Sequence, residues 1–273
     1  MTISKSKKTI YLMIIIALFS CLCFIGTTYL YIPVGSKVHL GNFFCIIAGL
    51  LCGGIVGGLS GAIGMGLSDL FCSYGPDTII RTVIVKFLLG FFVGVFFRSI
   101  IKKERKIRPY SLIIGTSFLL LFITFLTLYL VKGSSFLIGE RQFKISILLI
   151  VSLGIMALFF YLIFIVTKKL NRVNQCVLIA TSIASFINVI LEFTLKIPFK
   201  MLFLSMSFES AFIYALTSLP SAIFTTVMTT VFVCVIYLPV YFATRHVNKL
   251  NDLYDTIQEI TGNHQNGQEE PKN

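Results

Sequence analysis

Residues 41–86 read GNFFCIIAGLLCGGIVGGLSGAIGMGLSDLFCSYGPDTIIRTVIVK, and this stretch decides the fold. Glycines recur every fourth residue at Gly49, Gly53, Gly57 and Gly61, and a second small-residue row runs Gly54, Gly58, Ala62, Gly66. Small residues at that spacing let membrane helices approach backbone to backbone. The stretch stays apolar up to Asp69, turns at Tyr74-Gly75-Pro76, and enters a second apolar run that holds Arg81 and Lys86. Ionisable groups inside such runs are costly and point to function. The stretch therefore reads as tightly packed membrane helices built around a polar site.

Working outward, the rest of the chain has the same character. It is 273 residues long, 56% hydrophobic and 12% charged, a balance too apolar to fill one soluble core. Its runs of about 20 apolar residues have the length of spanning helices. The net charge of +12 has a simple source, since cytoplasmic loops of membrane proteins collect Lys and Arg. A basic soluble domain that could hold nucleic acid is absent from the sequence, so no nucleic-acid partner is expected. The cysteines Cys21, Cys23, Cys45, Cys52, Cys72, Cys176 and Cys234 all lie in apolar runs, without metal or disulfide spacing. Leu18-Phe19-Ser20-Cys21 has the outline of a lipoprotein cleavage site, but Phe19 fits poorly and the apolar run continues to about Ile32. The first run is read as a retained helix.

The expected fold class is an all-α integral membrane protein, a polytopic bundle of about eight helical segments. They cover 10–32, 41–52, 54–72, 78–100, 110–131, 145–167, 176–196 and 209–243. Fused into one helix, segments two and three would be about 45 Å long, well beyond the roughly 30 Å hydrocarbon core. A break at Cys52-Gly53-Gly54, giving a hairpin of two shorter helices, fits better. The loop charges agree. With the N-terminus inside, the cytoplasmic side holds Lys5, Lys7, Lys8, Arg98, Lys102, Lys103, Arg105, Lys106, Arg108, Lys168, Lys169, Arg172, Arg245 and Lys249. The outer loops hold only Lys37, Lys132, Arg141, Lys144, Lys196 and Lys200. This bias places both termini in the cytoplasm. Two regions follow: a transmembrane bundle over 1–243, and over 244–273 a cytoplasmic amphipathic helix, with Val247, Leu250, Tyr254 and Ile257 at helical spacing, ending in a disordered tail.

Once oriented, the buried polar residues gather in the outer half. The candidate substrate-binding residues are Asn42, Asp69, Tyr74, Arg81, Lys86, Asn188 and Glu192, lining one outward cavity among segments two, three, four, seven and eight. Asn188 and Glu192 share a helix face, and Tyr74 sits in the loop over the cavity. His39 and Glu209 lie at the same depth. Simpler roles exist for several: Asp77 and Arg81 pairing four apart, Asp69 capping a turn, Glu192 meeting Lys196. The inner halves are nearly free of such groups. No enzyme is expected, since no histidine has a carboxylate at metal-ligand spacing, the glycine rows lack a Walker ending, and Ser60 makes no hydrolase elbow. No metal and no cofactor is expected.

Taken together, Gly41-Asn42, Gly53, Gly57, Gly61, Gly64, Leu67, Asp69-Leu70, Gly75-Pro76, Thr82, Lys86, Gly90 and Gly94 resemble the S components of energy-coupling factor (ECF) transporters. Asn188-Val-Ile-Leu-Glu192 and the run from Ala211 to Val240 resemble the closing helices of that family. The resemblance implies a substrate-binding subunit in a prokaryotic plasma membrane that takes up a vitamin or related micronutrient. It also implies partners: a transmembrane coupling subunit and two ATPase subunits, with membrane lipid around the bundle. Segments five and six stand as an extra or enlarged pair. The family's Ala-x-x-x-Ala surface for the coupling subunit is matched only by Ala17-x-x-x-Cys21, which becomes the candidate partner interface. The alternative is a ligand-sensing or regulatory membrane protein with the same bundle and no transport motor.

Overall fold

A computed structural model of the chain describes residues 5–34, 36–102, 108–138 and 141–245. Of the amphipathic helix and tail expected over 244–273, Thr244 and Arg245 end the last helix, and 246–273 lie outside the described residues, as does the core of the basic run over 103–107. The elements are α1 (Lys5–Thr28), β1 (Tyr31–Val34), β2 (Ser36–His39), α2 (Gly41–Cys52), α3 (Gly54–Phe71) and α4 (Pro76–Lys102). They continue with α5 (Arg108–Lys132), β3 (Ser135–Ile138), β4 (Arg141–Lys144), α6 (Ile147–Val166), α7 (Arg172–Leu204) and α8 (Phe208–Arg245). Among the described residues seven helices are long and apolar enough to cross a membrane. The eighth, α2, has 12 residues and rises only about 18 Å.

The expected break between α2 and α3 is present, at Gly53. Its φ of +104° with ψ of 163° belongs to a backbone region open to glycine alone. Its N–H donates to the Gly49 carbonyl at 3.1 Å, closing α2 as the chain reverses. The reversal lays α3 antiparallel on α2. A methyl group at Gly57 would fall 2.6 Å from the Gly49 Cα, and one at Gly61 would fall 2.5 Å from the Cys45 sulfur. The second small-residue row faces α4 instead: a methyl at Gly54 would meet the Phe91 carbonyl oxygen at 2.6 Å, and one at Gly58 the Phe87 carbonyl oxygen at 2.8 Å. The first row thus closes the hairpin and also meets α4, where a methyl at Gly49 would fall 2.7 Å from the Gly90 carbonyl oxygen, while the second row seats the hairpin on α4.

Helix α1 runs parallel to α3 on its other side, where the Ser60 hydroxyl donates to the Ile16 carbonyl at 3.4 Å. Among the described residues the bundle has two large apolar cores, and a small third cluster packs α1 on Cys52 and Val56. One large core joins α2, α3 and α4 to α7 and α8 through Phe43, Ile46, Leu50, Met65, Leu89, Val93 and Tyr237. The other joins α5 and α6 to α7 and α8 through Phe118, Leu149, Leu153, Met156, Phe160 and Ile223. Helices α7 and α8 belong to both, so they form the spine, and α5 packs with α6 on one side of it.

The structure corrects the sequence reading in three places. The first helix ends at Thr28 rather than near Ile32, and Tyr31–Val34 pairs antiparallel with Ser36–His39. Residues 132–144, expected as a plain loop, contain a second hairpin that pairs Ser135 with Lys144 and Ile138 with Arg141. The seventh helix does not stop at Lys196 but runs to Leu204 and ends at Ser205, whose φ of 50° turns the chain toward α8. Lys196 and Lys200 are therefore helical residues rather than loop residues.

Candidate functional site

The end of the bundle where α1, α3 and α7 finish and α2, α4 and α8 begin encloses a cavity of about 180 Å³. Helix α3 contributes Ser68 and Asp69 in its last turn, with Met65 one turn below. Helix α4 contributes Thr78, Arg81, Thr82 and Lys86, spaced three or four apart on one face. Helix α7 contributes Asn188, Glu192 and Lys196 at strict four-residue spacing, and α8 contributes Ser218, Ser221, Ala222 and Thr225. Asn42 enters from the first turn of α2, His39 from β2, Thr27 from α1 and Tyr74 from the α3–α4 turn.

All seven candidate site residues lie on this one wall. The structure adds α1 and β2 to the five segments expected. Asp77 does not face the cavity. It pairs with Lys200 at 2.7 Å, not with Arg81, and ties the start of α4 to the end of α7. Glu209 is likewise absent from the wall. The sequence reading missed Lys196 because it was assigned to a loop, although its spacing from Asn188 and Glu192 was a usable signal. It also missed the hydroxyl row of α8, whose spacing of three and four residues marks one helix face.

The charges on the wall are arranged unevenly. Lys86 is only 4% exposed. Its ammonium donates to the Asn188 Oδ1 at 3.2 Å and pairs with the Glu192 carboxylate. Glu192 therefore answers Lys86, not Lys196. Lys196 donates to the Ser218 hydroxyl at 2.5 Å and lies 5.7 Å from the centroid of the Tyr214 ring. Asp69 is buried beside the Thr82 hydroxyl. Among the described residues neither Arg81 nor Lys196 has a carboxylate within ion-pair distance. The side-chain oxygen of Asn42, itself 4% exposed, has no hydrogen-bond partner.

Below the cavity the polarity fades but does not vanish. Thr181 and Ser185 on α7 and Thr226 and Thr229 on α8 are buried with hydroxyl oxygens that have no hydrogen-bond partner among the described residues. The inner half thus holds more polar groups than the ionisable residues alone indicated. Among the described residues no three His, Cys, Asp or Glu side chains gather as a metal site.

The cavity thus gathers charged groups of both signs at one end of a glycine-packed bundle of apolar helices. A family model described as ECF-type riboflavin transporter, S component, matches residues 7–169, or 163 of the 273 residues. The chain belongs to this family of ECF S components. It is a multi-pass membrane protein whose part in transport is to bind substrate. The matched region takes in α1 through α6, so α5 and α6, expected as an extra or enlarged pair, fall within the family's own pattern. Helices α7 and α8, which carry Asn188, Glu192, Lys196 and the hydroxyl row, lie beyond it. No curated protein and no solved structure matches the chain.

Proposed function

We propose that this S component binds a vitamin-like small molecule in the cavity among α2, α3, α4, α7 and α8, and that uptake requires an ATP-driven partner complex. The partners are a transmembrane coupling subunit and two ATPase subunits in a prokaryotic plasma membrane. The cavity opens outward and both termini are cytoplasmic. Asn42, Asp69, Tyr74, Arg81, Lys86, Asn188 and Glu192 are the proposed substrate contacts. The observation that carries this reading is their convergence on one cavity. Five of them come from a region before position 87 and two from a helix a hundred residues later, and a common role accounts for so many costly polar groups on one wall.

The division of labour rests on two further points. The sequence carries no phosphate-binding loop, which agrees with ATP being hydrolysed by partner subunits. The proposed docking face is on α1, where Ala17 and Cys21 are exposed one turn apart among the larger Met13, Ile14 and Leu18. Small residues on an exposed face let another helix approach closely. The test is reconstitution in liposomes with isotope-labelled vitamins offered outside. The proposal expects binding by the chain alone and accumulation only when the coupling and ATPase subunits are present with ATP. Accumulation by the chain alone would overturn it, as would failure to associate with any ATPase subunit in its native membrane.

A further inference from the structure

We infer that the ligand is a compact organic anion whose carboxylate or phosphate sits between Arg81 and Lys196. This rests on the reading of the cavity as the substrate site. The first ground is charge. Of the five ionised groups on the wall, Lys86 and Glu192 answer each other, which leaves Arg81 and Lys196 against Asp69 alone. A surplus positive charge inside a membrane bundle is costly unless a counter-charge arrives. Arg81 presents a guanidinium suited to bidentate contact with carboxylate or phosphate. Lys196 stands on the facing helix, held at its tip by Ser218.

The second ground is lining. Small-molecule sites are generally apolar, with few polar groups. Here Met65 and Ala222 are the only aliphatic contributions, and hydroxyl groups come from α1, α3, α4 and α8. Tyr74 and His39 supply the rings on the wall, and charged, amide and hydroxyl side chains make up most of the rest, a lining suited to a ligand rich in hydrogen-bonding groups. The third ground is size and an orphaned acceptor. The cavity of about 180 Å³ falls below the roughly 300–1,000 Å³ usual for small-molecule pockets. The unpartnered Asn42 oxygen calls for a donor on the ligand. A short molecule with an acid group at one end and hydroxyl or amide N–H groups along its length satisfies all three.

The test uses the full chain in lipid nanodiscs at constant ionic strength, read by thermal shift and calorimetry. The probes are inorganic phosphate, pantothenate as a compact hydroxylated carboxylate, and riboflavin. The inference expects saturable stabilisation by phosphate or pantothenate. Arg81→Gln and Lys196→Gln should each weaken the anion by at least about tenfold, the loss expected for a charge-assisted contact. Arg81→Lys should recover part of it, which separates lost charge from misfolding. No saturable response to either anion overturns the inference, as does equal anion binding in the wild type and both glutamine variants. Riboflavin binding that is indifferent to Arg81→Gln overturns it too, while leaving the S-component reading intact. Uptake without ATPase subunits would instead remove that reading, whatever the anion result.

Discussion

A lysine buried to 4% exposure within a membrane bundle must have its charge answered on the spot, and Lys86 meets this with Glu192 and the Asn188 oxygen. The sequence alone leads one to expect that Lys86→Met would harm ligand binding more than stability. The ion pair changes that expectation. Removing the ammonium leaves the half-buried Glu192 carboxylate without its hydrogen-bonded partner, a loss of about 1–3 kcal/mol. Lys86→Met should therefore lower the unfolding temperature in detergent markedly. Lys86→Met combined with Glu192→Gln should regain most of that stability while ligand binding stays lost. If the double variant is no more stable than the single one, the pair is not what holds α4 to α7. Asn188 and Glu192 were legible in the sequence because two polar residues four apart in an apolar run stand out. Ser218, Ser221 and Thr225 were not. Hydroxyls in membrane helices usually bond their own preceding turn, as Thr217 does to the Ile213 carbonyl and Ser221 to the Ser218 carbonyl. Their presence in the sequence therefore says little about which face they serve.

At the level of elements, the α2–α3 hairpin depends on two glycines touching through their backbones. An alanine methyl at Gly57 would fall 2.6 Å from the Gly49 Cα, where no side chain can yield. Overpacking of this kind costs about 1–3 kcal/mol. Gly57→Ala should thus reduce the yield and thermal stability of purified protein. Gly115→Ala, whose methyl would meet the Phe160 Cβ at 3.3 Å, should be much milder. Equal effects at the two positions would show that the hairpin tolerates separation. This element could be read from the sequence because an apolar stretch too long for one span contained a Gly-Gly step. The two β-hairpins could not be. Strands of four residues show too little alternation to register, and their pairing is set by the helix ends they connect. The last turns of α7 were hidden for a different reason. Lys196, Pro198 and Lys200 resemble a polar loop until Ser218 and Asp77, both distant in sequence, supply their partners.

For the whole molecule, the arrangement of the ends matters most. The cavity and both β-hairpins share one end, with β2 and β4 both touching α8. The proposed orientation puts that end outside the cell. A cysteine placed at the exposed Ser134, in a variant with Cys21 and Cys72 replaced, should react with an impermeant maleimide on intact cells. Reaction only after lysis would invert the bundle. Coupling to a motor is a separate matter, because it concerns the outside of α1 rather than the cavity. Ala17 lies ten residues before Thr27, the only residue of α1 on the cavity wall, about 15 Å along the helix axis. A bulky group there meets lipid or a partner, not ligand. Ala17→Trp should therefore leave the affinity of the purified chain within about twofold of wild type, since surface changes away from a site seldom exceed 0.5 kcal/mol. Uptake in cells containing the partner subunits should fall to background, because tryptophan at a small-residue contact holds the helices apart. Normal uptake with unchanged binding would move the docking surface away from α1. Loss of binding along with uptake would mean that the two ends of α1 are coupled through the bundle.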